Sequence, residues 1–142
     1  MADSATPKKP EARTALGKAW EARDYATFLR EVEGRARREG ECLIWKGKQV
    51  SGYPLVKVAR RWRRVHRMVA EANAGKPLGV LTAHHICGVS LCVRPEHLTS
   101  ATQAANVAEM LARRSYLARI AELESALRSI APGHEALMRA AA

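Results

Sequence analysis

The sequence predicts an α+β domain, and three features of the chain lead to this prediction. A basic segment at residues 42–67 alternates apolar and charged residues, as antiparallel strands do. A loop rich in cysteine and histidine follows at residues 84–97, with the sequence HHICGVSLCVRPEH. Apolar residues at helical spacing lie on both sides of this centre. We therefore expect an antiparallel β hairpin and a metal-binding loop, flanked by N- and C-terminal helices.

Length and charge limit the class of protein. A chain of 142 residues suffices for one small domain with helical extensions. Its net charge of +10 comes almost entirely from residues 42–80, which hold nine Lys/Arg and one Asp/Glu. Such a single-sign block in a strand-like pattern favours nucleic acid as the partner over a membrane. No apolar run reaches membrane-spanning length and no secretory signal is visible, so we expect a cytoplasmic protein with reduced cysteines.

The first forty residues predict a tail and a helix. Residues 1–13 are polar and contain two prolines, which is typical of a disordered tail. Residues 14–40 predict one packing helix, with Asp24 as a plausible N-cap and Gly40 where the helix stops. Its apolar residues recur at four-residue spacing: Phe28, Val32 and Ala36.

The basic segment predicts two short strands joined near Arg60 and Arg61. We expect its cations to contact nucleic-acid phosphates: Lys57, Arg60, Arg61, Arg63, Arg64 and Arg67. The tryptophans, in contrast, are expected in the core: Trp20, Trp45 and Trp62. Next, HRMVAEANAG predicts a short helix that ends before Gly75, and VLTAHH predicts a strand that leads into the cysteine-rich loop.

A long helix is predicted after that loop, with Thr102 as its N-cap. Within it, five residues follow a 4-3-4-3 spacing that amounts to two heptads: Tyr116, Ile120, Leu123, Leu127 and Ile130. This stripe fits either a homodimer or packing on the chain's own N-terminal helix. We treat residues 116–142 as a C-terminal helical extension.

The cysteine-rich loop has the composition of a structural zinc site. Cys87, Cys92 and His97 are equally spaced, with four residues between each pair. A tetrahedral zinc needs a fourth thiolate or imidazole, and Cys42 is the remaining cysteine. A Cys3His site would join the basic hairpin to the loop. The alternative is that Cys42 is a buried apolar residue and the loop binds no metal.

Two histidines, His84 and His85, remain outside this ligand set, because they are too close to Cys87 to join its tetrahedron easily. Asn106 lies 21 residues after His85, one turn into the long helix. A strand, a loop and a short return strand would bring that turn back beside the strand end. An imidazole and an amide oxygen would then face each other across a cleft.

The run TAHHICGVSLCVRPEHLTSATQAAN resembles the His-Me finger (HNH, or ββα-metal) endonucleases, in particular the zinc-stabilised homing endonucleases and phage HNH proteins. The likeness consists of a histidine followed by Cys at plus two and plus seven, His at plus twelve and Asn at plus twenty-one. Upstream, CLIWKG, GYP and VHRM resemble that group's signatures in the same order. The resemblance implies a zinc-stabilised ββα-metal core over residues 41–115, in a bacterial or phage-infected cell.

The resemblance also implies roles for individual residues. His85 would be the general base and Asn106 the ligand of a catalytic Mg²⁺ or Mn²⁺. Either Arg61 or Arg63 would lie near the leaving group. Many relatives have an acidic residue where this chain has His84, which is therefore either a second metal ligand or a bystander. His66 is expected to pack at a strand-to-helix turn.

These residues together predict a metal-dependent DNA endonuclease that hydrolyses phosphodiester bonds. The alternative is a non-catalytic, zinc-stabilised DNA-binding module, since the basic hairpin and the zinc loop fit both. RNA as the substrate also stays open, because charge does not distinguish it from DNA.

Overall fold

A computed structural model describes residues 14–138, which form a mixed α+β protein with small antiparallel sheets. The described part contains four α-helices: α1 (Ala15–Glu21), α2 (Tyr25–Glu33), α3 (Val65–Ala74) and α4 (Gln103–Ile130). It also contains seven strands: β1 (Ala36–Glu39), β2 (Cys42–Trp45), β3 (Gln49–Val50), β4 (Tyr53–Val58), β5 (Arg61–Arg64), β6 (Thr82–His85) and β7 (Leu98–Ala101). Short 3₁₀ turns lie at Pro95–His97 and Glu135–Leu137. The tail predicted at 1–13 lies outside the described residues.

The N-terminal segment differs from the single helix predicted over residues 14–40. Arg23 adopts a left-handed φ of 57°, which interrupts the helix between α1 and α2. Asp24 then caps α2, as predicted, by accepting a hydrogen bond from the Thr27 amide at 3.1 Å. Beyond α2 the chain forms β1, and Gly40, with φ 53°, lies in the turn to β2 rather than at a helix end.

Contacts divide the chain between Ala101 and Thr102 into two units. The first unit contains a hydrophobic core in which three helices cover the strands. Its largest fully buried side chains come from all three helices and from the cysteine-rich loop: Leu16, Phe28, Val32, Val65, Val69 and Val93. Burying each such side chain contributes about 1.5–3 kcal/mol, so this core positions the strands firmly.

The basic segment forms the expected hairpin, with a third strand added at its edge. β4 pairs with β5 from Leu55 opposite Arg64 to Val58 opposite Arg61. Alternate β4 residues are buried, whereas every β5 side chain is exposed. β5 leads directly into α3, and Gly75 ends that helix with φ 67°, as its sequence predicts.

A second hairpin follows α3. β6 pairs with β7 over four residues, from Thr82 opposite Ala101 to His85 opposite Leu98. Both the predicted entry strand and the predicted return strand are therefore present, with the cysteine-rich loop between them.

The second unit begins with the predicted cap, because the Thr102 hydroxyl accepts a hydrogen bond from the Ala105 amide at 3.1 Å. α4 continues without interruption through residues 115 and 116 and buries none of its side chains. Surface ion pairs at helical spacing include Glu109–Arg113 and Glu124–Arg128. Within the described ranges, no helix combines the length and apolar character needed to cross a membrane.

Candidate metal centre and active site

Backbone pairing places the second loop cysteine beside β2. Ile44 forms an antiparallel bridge with Cys92, and the Val93 amide donates to the Leu43 carbonyl at 2.8 Å. The loop therefore runs along β2 as a further short strand would. Cys92 is consequently held close to Cys42, at the start of β2.

The β6–β7 hairpin brings in the other two predicted ligands. The Ile86 amide donates to the His97 carbonyl at 3.0 Å, so the ladder extends one step beyond His85 and Leu98. Cys87 follows directly after this pair. Three separate segments of the chain thus meet at one point.

The four predicted ligands form one cluster. The Sγ atoms of Cys42, Cys87 and Cys92 and a ring nitrogen of His97 all lie within 4.8 Å of one another. The Nδ1 atom of His97 is 3.6 Å from the Cys42 Sγ and 3.5 Å from the Cys92 Sγ. For Zn–S bonds of about 2.3 Å and Zn–N bonds of about 2.0–2.1 Å, the S–N edge of a tetrahedron is about 3.6 Å. The prediction that these residues come together is confirmed, and their spacing suits a tetrahedral metal.

The electrostatics of the cluster also favour a cation. Burial, together with the neighbouring thiols of Cys92 and Cys87, raises the pKa of Cys42 to about 12. The Cys42 thiol therefore resists ionisation unless a positive charge lies beside it. A divalent ion reverses this preference, because a coordinating thiol loses its proton to the metal. The sulfur-rich donor set is typical of structural zinc.

An ion-pair network surrounds the cluster. The Arg94 guanidinium donates to the Glu41 carbonyl at 2.6 Å and to the Glu41 carboxylate at 3.0 Å. Its Nε donates to the Glu96 carboxylate at 3.2 Å. Because Glu41 precedes one ligand and Glu96 precedes another, Arg94 ties the two segments together outside the sulfur atoms. Sequence reasoning missed this contact, which joins residues far apart in the chain.

His85 lies beside the cluster with a fixed ring orientation. Its Nε2 is 3.1 Å from the Cys92 carbonyl oxygen, and the residue is only 9% exposed. A carbonyl oxygen can only accept, so Nε2 carries the hydrogen and Nδ1 carries the lone pair. Burial lowers the pKa of His85, against the opposing effect of this hydrogen bond. The imidazole is therefore neutral at pH 7, with Nδ1 as its basic atom.

A row of rings connects His85 to the basic hairpin. The His66 ring lies 4.9 Å from the His85 ring, and the Tyr53 ring lies 5.4 Å from that of His66, between ring centroids. The Arg64 guanidinium lies over Tyr53 at 4.8 Å. His66 packs at the β5–α3 junction, as expected, and is 4% exposed. Burial, with a smaller effect from His85, lowers the pKa of His66 to about 3. Within the described structure, its Nδ1 has no hydrogen-bond partner.

The arginines of β5 have different neighbours. Arg61 and Arg63 pair across the ladder with Val58 and Val56, residues of the buried β4 face. Arg64 instead contacts Tyr53, and its charge is among those that lower the pKa of His66. Arg64 is therefore linked to His85 through the rings of Tyr53 and His66. That Arg61 or Arg63 lies near the leaving group stays a prediction.

Arg67, a predicted phosphate contact, is engaged within the protein. It donates to the Leu81 carbonyl at 2.8 Å and the Gly79 carbonyl at 2.7 Å, and it pairs with Glu71 at 3.2 Å. These bonds hold the segment before β6 against α3. The described geometry thus gives Arg67 a structural role. The other predicted contacts have exposed side chains: Lys57, Arg60, Arg61, Arg63 and Arg64.

The two remaining predicted residues belong to different units. His84 is half-buried on β6, opposite Thr99. Asn106 is half-buried in the first turn of α4, where its backbone amide donates to the Thr102 carbonyl at 3.0 Å. That Asn106 and His85 face one substrate stays a prediction.

Comparison of the chain with models of protein families, with curated proteins and with solved structures finds no match. The resemblance to His-Me finger endonucleases therefore depends on the motif residues themselves.

Proposed function

We propose that the protein is a metal-dependent DNA endonuclease of the His-Me finger type, stabilised by a structural zinc. The observation that carries this proposal is the hydrogen bond between His85 Nε2 and the Cys92 carbonyl. That bond fixes the tautomer that a general base needs, and the carbonyl belongs to a residue of the candidate zinc site. The proposal extends to a ββα-metal core made of β6, β7 and the start of α4, acting in a bacterial or phage-infected cell.

Zinc would be held by Cys42, Cys87, Cys92 and His97, and its role would be to join β2 to the β6–β7 hairpin. The fit of the donor set and of the S–N distances supports this assignment. Structural zinc contributes roughly 10–16 kcal/mol in finger peptides, so it would strongly stabilise the segments that surround His85.

His85 would act through Nδ1. That nitrogen accepts a proton from a water molecule as the water oxygen attacks the phosphorus atom. The bond between phosphorus and the 3′ oxygen breaks, leaving 5′-phosphate and 3′-hydroxyl ends, and the 3′ oxygen takes a proton from solvent. Neutral His85 is the form required, and burial maintains it.

Asn106, with His84 as a further candidate ligand, would hold the catalytic Mg²⁺ or Mn²⁺. An amide oxygen suits these hard cations, and waters and phosphate oxygens commonly complete their shells. When bound, such an ion stabilises negative charge on the phosphate and on the leaving oxygen. The exposed cations of the β4–β5 hairpin would bind neighbouring phosphates, with Arg61 or Arg63 near the leaving group. Arg64 contacts the Tyr53 ring, the first ring of the row that ends at His85.

A second copy of the chain is the partner proposed for α4. The heptad side chains lie on a helix that buries none of its residues. In this register Arg119 occupies a g position and Glu124 an e position. In a parallel pair, Arg119 therefore faces Glu124 of the second copy, whereas an antiparallel pair lacks this match. Such a dimer would supply one site for each DNA strand, and sedimentation equilibrium of the parent and of Ile120→Asp would test it.

Plasmid cleavage by the zinc-loaded protein tests the catalytic proposal. We expect Mg²⁺ to support conversion of supercoiled DNA, and His85→Ala to lower the rate by about 10²–10⁴-fold. His85→Gln, whose amide can still donate to the Cys92 carbonyl, should be equally impaired while keeping zinc content and DNA affinity. His134→Ala, an exposed histidine in the second unit, is the matched control.

Two results would contradict the proposal. Cleavage by His85→Gln at the parent rate would remove His85 from the mechanism. Supercoiled DNA that survives Mg²⁺ and Mn²⁺ but is bound tightly would favour the non-catalytic DNA-binding module. The same assay on RNA of matched sequence distinguishes the two nucleic acids as substrates.

A further inference from the structure

Trp62 differs from the other two tryptophans of the chain. Trp45 is 5% exposed, and the half-buried Trp20 packs on Phe28 with ring centroids 5.0 Å apart. Trp62, in contrast, is 52% exposed, so the expectation that all three belong to the core is wrong for this residue. A large exposed aromatic side chain is a common feature of binding surfaces, because it offers apolar area with little conformational entropy to lose.

The surroundings of Trp62 are cationic. The Lys48 Nζ lies over the indole, 4.5 Å from its centroid, and Lys57 is the direct cross-strand neighbour on β4. Arg61 and Arg63 precede and follow Trp62 on β5, with their side chains on the opposite face of the strand. No acidic residue occurs between positions 42 and 70, so the whole segment that carries this hairpin has one sign of charge. The indole is therefore an apolar ring set among positive charges.

We propose that Trp62 is a stacking platform for an unpaired nucleobase, with Lys48 and Lys57 binding the adjacent phosphates. With Lys48 over one face of the ring, the exposed remainder is available to a flat ligand. Phosphate charge complements the lysines and a base complements the indole, so a nucleic-acid strand satisfies both features at once. This inference depends on the proposed DNA-directed function, because it names the form of DNA that the surface prefers.

An unpaired base is the specific occupant for a steric reason. In duplex DNA each base is stacked on both faces and presents only its edge in a groove. An indole on a strand can stack on a base only if that base lies outside the helical stack. The lysines, in contrast, bind phosphates of either form. Trp62 should therefore contribute to binding of single-stranded DNA and add little to binding of a duplex.

Fluorescence anisotropy with a labelled 12-nucleotide single strand and the matching duplex tests this inference. The zinc-loaded protein is used without Mg²⁺, so that no cleavage occurs. Trp62→Leu keeps apolar bulk but removes the aromatic face, and it should weaken single-strand binding by about 5- to 100-fold. Duplex binding should change by less than about 2-fold. Trp62→Phe, which retains a ring, should stay within about 3-fold of the parent on both ligands.

Two matched variants identify the source of any effect. Val80→Ala removes exposed apolar surface outside both hairpins and should alter neither affinity. Lys57→Ala should weaken the binding of both DNA forms. It should also reduce the slope of log affinity against log salt concentration by about one, whereas Trp62→Leu leaves that slope unchanged.

The inference is overturned if Trp62→Leu binds the single strand like the parent, or weakens both DNA forms equally. Preferential loss of binding to an acidic protein or to anionic vesicles, with DNA affinity unchanged, would assign the surface to another partner and also overturn it. A parent protein that binds single-stranded DNA through Trp62 but cleaves no plasmid leaves this inference intact and contradicts the endonuclease alone.

Discussion

The two hairpins of the first unit have ladders of equal length but are stabilised in different ways. β4–β5 and β6–β7 each form four residue pairs. β6–β7 is held from outside its strands by the Cys3His cluster, by Arg94 and by the bridge from its loop to β2. β5, in contrast, has no buried side chain. The comparison shows that β6–β7 holds the buried side chain of His85, whereas β5 presents charge to solvent.

The two hairpins are in contact through the ring of His66. Its ring lies between Tyr53 of β4 and His85 of β6. Because the ring is buried and neutral, it adds no positive charge next to the proposed base. The Arg64 guanidinium and the His85 ring are thus separated by the rings of Tyr53 and His66.

The largest expected effect follows from removing one of the side chains that join β2 to the β6–β7 hairpin. In Cys42→Ala we expect zinc content to fall well below one ion per chain and the cooperative unfolding transition to be lost or strongly weakened. Structural zinc is worth roughly 10–16 kcal/mol, which is comparable to the whole stability of a domain. Metal analysis and chemical denaturation measure both quantities.

Val89→Ala, in the same loop but outside the cluster, is the control and should keep the parent's zinc content. Full zinc loading and parent stability in Cys42→Ala would instead mean that Cys42 is only a packing residue. The β6–β7 hairpin would then depend on its core contacts for stability, as the β4–β5 hairpin does.

An intermediate effect is expected from the ring that joins the two hairpins. The pKa of His66 is about 3 in the folded protein and about 6.5 in the unfolded chain, so the unfolded state binds the proton first as the pH falls. His66 should thus cost about 1.4 kcal/mol of stability per pH unit below pH 6.5, down to about pH 3. His66→Phe removes this cost while other groups titrate alike in both proteins.

Urea unfolding at pH 7 and pH 5 measures the effect. Between these values, the unfolding free energy of His66→Phe relative to the parent should rise by about 2 kcal/mol. Val69→Ala, which alters a buried apolar side chain of α3 and no titratable group, should keep a constant difference from the parent. A pH-independent difference for His66→Phe would show that the buried ring does not resist protonation.

The smallest expected effect concerns the tip of the exposed hairpin. Ala59 and Arg60 both have positive φ, 49° and 65°, which non-glycine residues adopt at a cost of about 1 kcal/mol or more. Ala59→Gly should therefore stabilise the protein by about 0.5–1 kcal/mol in urea unfolding. The same change at the exposed helical position Ala26 should destabilise it by up to about 1 kcal/mol. Equal signs at both sites would exclude backbone strain at the tip.

The sequence predicts the β6–β7 hairpin and its metal ligands better than it predicts the segments that pack around them. Metal ligands are recognisable by residue type and spacing. The return strand is expected because it would bring the start of the long helix back beside the end of the entry strand. The alternation of β4 and the caps at Asp24 and Thr102 are likewise local signals, which the structure confirms.

Features that depend on long-range contacts or on unusual backbone were not predictable. Nothing in the sequence marks Arg23 as the residue that breaks the N-terminal helix, since arginine is a good helix former. The sequence does not distinguish Arg67 from its basic neighbours, because its bonds to the carbonyls of Gly79 and Leu81 depend on the fold. The exposure of Trp62 required knowledge of which β5 residues the core covers.

X-ray absorption at the zinc edge of the purified protein tests the Cys3His centre most directly. A shell of three sulfur atoms at about 2.3 Å and one nitrogen at about 2.0–2.1 Å is expected, with zinc bound at one ion per chain. A shell of two sulfurs with oxygen or nitrogen ligands would exclude one of the three cysteines. Absence of stoichiometric zinc would contradict the link between β2 and the hairpin that carries His85.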